Sequence, residues 1–332
     1  MYYLPTKVLM DVDTGIDDAI AIMIALQSPE IEIVGITTVG GNVTARAAGL
    51  NTLGILRALG KDSKIPVLQG SSRPISKKIA RAKDVHGQKG LGNIMLESNP
   101  SFLQRGEASH FISKILANYR KGEVSLIATG PLTNIARIIL ENPEKIDYLS
   151  KISIMGGAYG LASKIYGNIT QYAEFNFYCD PKAAQIVMAH ASTGAVQVNA
   201  VGLDVTDKYL IIDNEFVSIL DQQCLKTKTA PSKSTKVPTI AKSLLQYPLA
   251  EFGKFNLPDV FAIAMIERPF LFKFKRGIIN IVQNGILWGH SIFVGDGPSG
   301  SVNKRSKIFV ASDIKDSRKF HDYVVCRLCN RR

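Results

Sequence analysis

Short apolar runs rich in β-branched residues alternate with longer amphipathic stretches through the first 200 residues. Residues 7–11, 31–39, 65–69, 124–128, 152–155 and 195–201 read as strands, because near-continuous Val, Ile and Leu marks a strand buried on both faces. Between them, residues 17–27, 44–59, 107–119, 132–140 and 181–189 carry apolar positions at helical spacing. Pro181 suits a first helical turn, where its missing N–H costs nothing, and Gly60 suits a helix stop. This rhythm predicts an α/β fold with a mostly parallel, doubly wound, Rossmann-like central sheet flanked by helices. Beyond Asp204 the pattern turns more helical, at 214–223, 239–252 and 259–267, before two last strands at 277–283 and 307–311. No repeat or linker interrupts it, so a single domain over residues 1–332 is expected.

Composition narrows the class. Hydrophobic residues make up 46% and charged ones only 20% of the 332 residues, which excludes disordered and coiled-coil chains. The apolar stretch 19–26 is too short to span a bilayer, and MYYLPT at 1–6 has neither a basic nor an apolar leader region. A cytoplasmic protein with no membrane partner is expected. The net charge of +12 is concentrated in three stretches, 73–89, 225–242 and 302–332, which carry +5, +5 and +6. The rest of the chain is therefore net negative. Charge alone would suit a nucleic acid, but no RRM, KH or zinc-finger pattern accompanies it, so a solvated basic surface is the expectation. Four cysteines do not make a disulfide framework in so long a chain. Cys179 and Cys224 read as isolated and inert, and the C-x-x-C of Cys326 and Cys329 as helical neighbours or an adventitious disulfide.

Polar and glycine-rich residues come directly after the expected strands: DVDTGIDD from Asp11, GGN at 40–42, TGPLTN at 129–134 and MGG at 155–157. In open α/β sheets these strand ends converge on one edge, where ligands bind. Asp11, Asp13, Asp17 and Asp18 place four carboxylates within eight residues. Sharing a desolvated site, they must protonate or hold a cation, and all-oxygen ligation selects a hard ion such as Ca²⁺ or Mg²⁺. Complementing a helix dipole would explain Asp17 and Asp18, but not Asp11 and Asp13. Asp-x-Asp after a strand also suits haloacid-dehalogenase phosphatases, with Gly295-Asp296-Gly297 as a late acidic motif. Gly15 stands where those enzymes usually carry Thr or Val, and no acid comes after Asp296 at the needed spacing. The glycines at 156, 157 and 160 do not fit G-x-G-x-x-G, and no G-x-S-x-G is present.

From about residue 7 to 270 the sequence resembles the inosine–uridine-preferring nucleoside hydrolase family. The likeness rests on DVDTGIDDA at the opening, VGGN at 39–42, VHGQKGLG at 85–92, ATGPLTNIA at 128–136, MGGA at 155–158 and GNITQYAEFNFYCDPKAA at 167–184. The resemblance implies N-ribohydrolase chemistry, in which a ribonucleoside and water give ribose and the free base. It implies Ca²⁺ held by Asp13, Asp18, Asp259 and the backbone oxygen of Thr129. Asp17 would be the base that takes a proton from a metal-bound water, with Asp11 orienting the ligands behind it. Asn42, Asn168, Glu174 and Asn176 would hold the ribose hydroxyls, and Met155 would line the sugar pocket. Homodimers or homotetramers are common in the family.

These roles are physically consistent. Attack at C1′ passes through an oxocarbenium-like state, and Ca²⁺ acidifies water only moderately, so a nearby carboxylate base is needed. One position departs from the pattern. Many members carry His before the late metal-binding Asp, where this chain has Pro258, and proline cannot protonate a departing base. His86 is a candidate substitute. Loss of the acid should hurt pyrimidines most, whereas a purine stacked on an aromatic ring accepts a proton at N7. Purine nucleosides are therefore expected to be favoured, with Tyr159, Tyr166, Tyr172, Phe252 and Phe255 available for stacking. The alternatives are a pyrimidine-preferring hydrolase and a ribose- or nucleoside-binding protein without turnover.

Overall fold

The computed structural model describes residues 4–161, 167–225, 236–296 and 305–329. Tyr166, Gly297 and much of the basic stretch 225–242 fall outside the described residues. In chain order the strands are β1 (Thr6–Val12), β2 (Ile31–Thr38), β3 (Val67–Gln69), β4 (Leu103–Arg105), β5 (Val124–Ala128), β6 (Lys151–Met155), β7 (Gln197–Val201), β8 (Ile211–Ile212), β9 (Phe255–Asn256), β10 (Phe272–Ile281), β11 (Ser291–Gly295) and β12 (Ile308–Ile314). The helices of the first half are α1 (Ile16–Gln27), α2 (Ala45–Ala58), α3 (Lys83–His86), α4 (Ala108–Leu116), α5 (Thr133–Glu141) and α6 (Pro143–Asp147). Those of the second half are α7 (Phe175–Cys179), α8 (Pro181–Ser192), α9 (Leu203–Tyr209), α10 (Asn214–Leu225), α11 (Lys236–Phe252), α12 (Asp259–Glu267) and α13 (Ser317–Leu328).

Ten strands form one sheet in the order β11-β10-β12-β7-β6-β5-β1-β2-β3-β4, and β8 pairs with β9 apart from it. From β12 to β4 every pairing is parallel, while β10 runs antiparallel to both β11 and β12. The expected mixed α/β fold with a mostly parallel sheet is what forms. Helices cover both faces. Val8, Met10 and Val12 of β1 pack into a layer with α1, α2 and α12, and the intervening Leu9 into a layer with α4, α5 and α8. That alternation is the two-residue period of a strand buried on both sides. Pro181 opens α8 behind an Asp180 cap, and Gly60 takes a left-handed φ of 67° just past α2.

The sequence reading missed the edge strands β4 and β11 and helix α13, and it began β10 too late. All are short, exposed or interleaved with charge, which hides the apolar period. The cysteine reading holds for Cys179 and is corrected for Cys224 and Cys329. Cys224 on α10 is bonded to Cys329 at the end of α13, while Cys326 and the buried Cys179 are free. The partner is set by the packing of α10 against α13, across 105 residues of sequence. Among the described residues no helix is long and apolar enough to cross a membrane.

Helices α1 and α12 form the centre of the larger layer. Residues 16–25 of α1 and all of α12 are buried, so each is apolar all round and packs against the other in the interior. Their N-termini carry Asp17, Asp18 and Asp259. The positive ends of two buried helix dipoles therefore meet the same carboxylates.

Candidate active site

The chain enters at β1 in mid-sheet, steps outward to β2, β3 and β4, then returns to β5 on the other side of β1. The loops after β1, β2 and β5 consequently diverge around a crevice at the carboxyl ends of the strands. Two backbone bonds tie these exits together: Thr129 N–H donates to Asp11 O at 3.0 Å and Val39 N–H to Val12 O at 2.9 Å.

Asp11, Asp13, Asp17, Asp18 and Asp259 are all buried in this crevice. Asp13 Oδ2 accepts from Asn42 N–H at 2.6 Å, and the Asn42 amide spans Asp13 Oδ1 at 3.3 Å and Asp18 Oδ2 at 3.2 Å. Asp18 also accepts from Gly15 N–H at 2.9 Å and from the Thr129 hydroxyl at 2.7 Å. Asp11 lies behind, held at Oδ1 by the Thr37 hydroxyl at 2.5 Å and the Asn134 amide at 2.7 Å. Close approach requires glycine beside these groups. A Cβ on Gly41 would sit 1.9 Å from Asp13 Oδ2, and one on Gly15 would sit 2.7 Å from Asn42 Nδ2.

Burial lifts every one of these carboxyls above the usual range, Asp11 to about 7. For Asp259 the charges of Asp17, Asp18 and Asp13 add to burial in the same direction. One oxygen from each of Asp17, Asp18 and Asp259 can lie within 4.8 Å of the others, the span of a metal-ligand group. Asp17 Oδ1 and Asp259 Oδ2 are buried without a hydrogen-bond partner among the described residues. Mutually repelling carboxylates with orphaned oxygens suit a hard divalent cation. The all-oxygen donor set is one that calcium, like magnesium, accepts.

Above the carboxylates opens a cavity of about 420 Å³. Its lining includes Asp17, Asn42, His86, Thr129, Met155, Asn168, Glu174, Asn176, Pro258 and Asp259, gathering the expected sugar-side and proton-transfer positions. Asp13 and Asp18 lie beneath it, fully buried. Several of these groups also bind one another. Glu174 caps α7, accepting from Asn176 N–H at 2.7 Å and Phe177 N–H at 3.1 Å, and also from Gly157 N–H at 2.8 Å. Burial pushes its carboxyl up to about 7 against those three donors. The Asn176 amide donates to Thr129 O at 2.7 Å and Met155 O at 3.3 Å. Asn168 Oδ1 accepts from Phe175 N–H at 2.8 Å.

His86 Nδ1 accepts from Ile16 N–H at 3.2 Å, which leaves the ring proton on Nε2. That same nitrogen lies 3.7 Å from Asp17 Oδ1, so it offers the carboxylate no proton. Burial pulls the imidazole down to about 4, and it is neutral at pH 7.

Other lining residues were not singled out in the sequence. Asp207 on α9 accepts from the Asn256 amide at 3.0 Å, and burial raises its carboxyl. Both face the cavity together with Lys254, Arg81 and Phe175. No local motif marks Asp207 or Asn256, because α9 and β9 are short and far apart in sequence. Of the described aromatics considered for stacking, only Phe255 lines the cavity. Tyr159 is turned inward with its hydroxyl on Gly156 O, while Tyr172 and Phe252 are exposed outside the lining.

The profile of the inosine-uridine preferring nucleoside hydrolase family matches residues 8–322. The chain belongs to this nucleoside hydrolase family. Uridine nucleosidase 1 of Arabidopsis thaliana is 33% identical over 290 residues, 86% of this chain and 81% of that one. The pyrimidine-specific ribonucleoside hydrolase RihA of Salmonella paratyphi C is 41% identical over 202 residues, 60% of this chain and 61% of that one. Among solved structures, the purine-preferring ribonucleoside hydrolase from Gardnerella vaginalis superposes with a TM-score of 0.83 at 27% identity. That match covers 97% of this chain and 98% of the other. As a nucleoside hydrolase family enzyme, the chain has its acidic cluster where the fold positions its ligand crevice.

Proposed function

We propose that the enzyme hydrolyses the N-glycosidic bond of ribonucleosides, using a calcium ion and Asp17. One observation carries the reading: orphaned oxygens of Asp17 and Asp259, beside Asp18, at the floor of a cavity lined by amides and carboxylates suited to sugar hydroxyls. Asp13, Asp18, Asp259 and the Thr129 carbonyl would hold the cation. When bound, it would neutralise the cluster and make a neighbouring water moderately more acidic. Asn42, Asn168, Glu174 and Asn176 fix the ribose, and Asp17 takes one proton from the attacking water. The new C1′–O bond forms as the C1′–N bond breaks, and the departing base takes up the bonding pair and a proton.

No strong acid stands ready to supply that proton from the expected positions. Pro258 has none to give, and neutral His86 can donate a hydrogen bond from Nε2 without acting as an acid. That supports purine ribonucleosides, whose N7 can be protonated while the ring stacks on Phe255. A pyrimidine reading draws on the names of the Arabidopsis and Salmonella relatives. Measuring kcat/KM for inosine, guanosine, uridine and cytidine on one preparation tests both. Inosine or guanosine is expected to lead. A tenfold lead for uridine or cytidine, roughly 1.4 kcal/mol in the barrier, would reverse the base assignment. Ribose binding without any base release would make the protein a binder.

A further inference from the structure

A second cleft, of about 630 Å³, lies between α5 and the segment after β3. It is lined by Arg73, Lys77 and Arg137, with Glu141 as its one acid among the described residues, and by the apolar Pro74, Ile75, Ile79 and Leu140. None of the three cations is in an ion pair among the described residues. Arg137 Nε is buried and has no hydrogen-bond partner there. The Arg137 side chain lines the cleft, and its guanidinium carries five N–H donors, so an orphaned one marks a side chain short of acceptors. Ile79 and Leu140 are 54% and 63% exposed, leaving an apolar wall beside the charges.

We propose that this cleft binds a small phosphate monoester with an apolar body. Three cations against one acid match a dianion, and a guanidinium fork is suited to phosphate oxygens. The apolar wall would cover the ester's organic part. The site is built on a fixed frame. Asp180 accepts from Ile75 N–H at 2.7 Å, Ser76 N–H at 3.1 Å and the Ser76 hydroxyl at 2.6 Å, and also from Thr133 at 2.7 Å, at the start of α5. One carboxylate thus pins both walls. Beyond the cleft Lys78 donates to the Tyr178 hydroxyl at 2.6 Å, after which the chain runs on to Arg81 and His86 in the other cavity.

Phenyl phosphate is the probe of choice, because it lacks the ribose that the first cavity fits. Isothermal titration of the full chain should show one site, weakened at least tenfold in the exposed double variant Arg73→Gln/Lys77→Gln and in Arg137→Met. Inorganic phosphate should bind the same site more weakly, and phenol should not bind. Affinity should fall as salt rises from 50 to 300 mM, on the order expected for exposed charges. Absence of phenyl phosphate binding would overturn the proposal. So would undiminished binding by the Arg73→Gln/Lys77→Gln protein, which keeps the core intact whether or not Arg137→Met folds.

Discussion

Breaking the Cys224–Cys329 bond should cost stability without changing the chemistry. The disulfide closes a loop of 105 residues that contains α11, β9, α12 and the last three sheet strands, and so includes Asp259. In the chain-entropy account a loop of this length stabilises by about 4.7 kcal/mol, through fewer unfolded conformations. For 332 residues the unfolding entropy is ~0.7 kcal/mol per degree, so the midpoint should fall by about 7 °C. Helix α13 would still be anchored: Phe320 stacks on Phe261 of α12 at 4.4 Å, and Arg327 pairs with Glu267 and Glu30. Asp259 should therefore keep its place below the transition. The assay is thermal unfolding by circular dichroism of the wild type with and without reductant, beside Cys224→Ser and Cys326→Ser. Reductant and Cys224→Ser should each lower the midpoint by several degrees, and Cys326→Ser should not. Nucleoside hydrolysis at 25 °C should be unchanged throughout. A shift below about 1 °C on complete reduction, verified by thiol counting, would refute the reasoning.

The carboxylate cluster and the sugar pocket give three further expected outcomes. Asp11, Asp13, Asp17, Asp18 and Asp259 all have folded pKa values raised by burial, so they contribute stability below pH 4 that is lost as pH climbs through the raised values, about 7 for Asp11. With a chelator present, the stability from this cluster should fall between pH 4 and 8, and added calcium should restore it most at the upper end, read as midpoints at each pH. Gly41→Ala would drive a Cβ to 1.9 Å from Asp13 Oδ2, and calcium affinity by titration should drop at least tenfold. A 2′-deoxynucleoside should react 5- to 150-fold more slowly in kcat/KM than its ribo counterpart, since an unpaired buried partner costs roughly 1–3 kcal/mol.

The parallel half of the fold was legible because its buried strands are continuous apolar runs and its helices carry apolar positions at helical spacing; β5 spans Val124–Ala128 as read, and α12 spans Asp259–Glu267. The carboxylates on α1 were legible for the same reason, being consecutive with the strand that aims them. Asp259 was reachable only through the resemblance, because nothing local ties it to Asp13 across 246 positions. Asp207 and Asn256 went unread, since two short elements bring them together only in three dimensions. The interlocking of Asn42 with Asp13 and Asp18, and of Asn176 with Thr129, was equally hidden: a sequence shows which groups can bond, not which reach one another first. The tautomer of His86 depends on one backbone N–H, that of Ile16, 70 residues away.

The most direct test of the central claim is Asp17→Asn, compared with the wild type in saturating calcium on the best ribonucleoside. Asp17 is a carboxylate that reaches both the cavity and the ligand group, and Asn keeps its size while removing the base. Losing a general base costs about 10²–10⁴ in rate. Turnover of ribonucleoside to ribose and free base should fall by that factor, while ribose still binds and the protein still melts within a few degrees of the wild type. Near-wild-type turnover by Asp17→Asn would contradict the account.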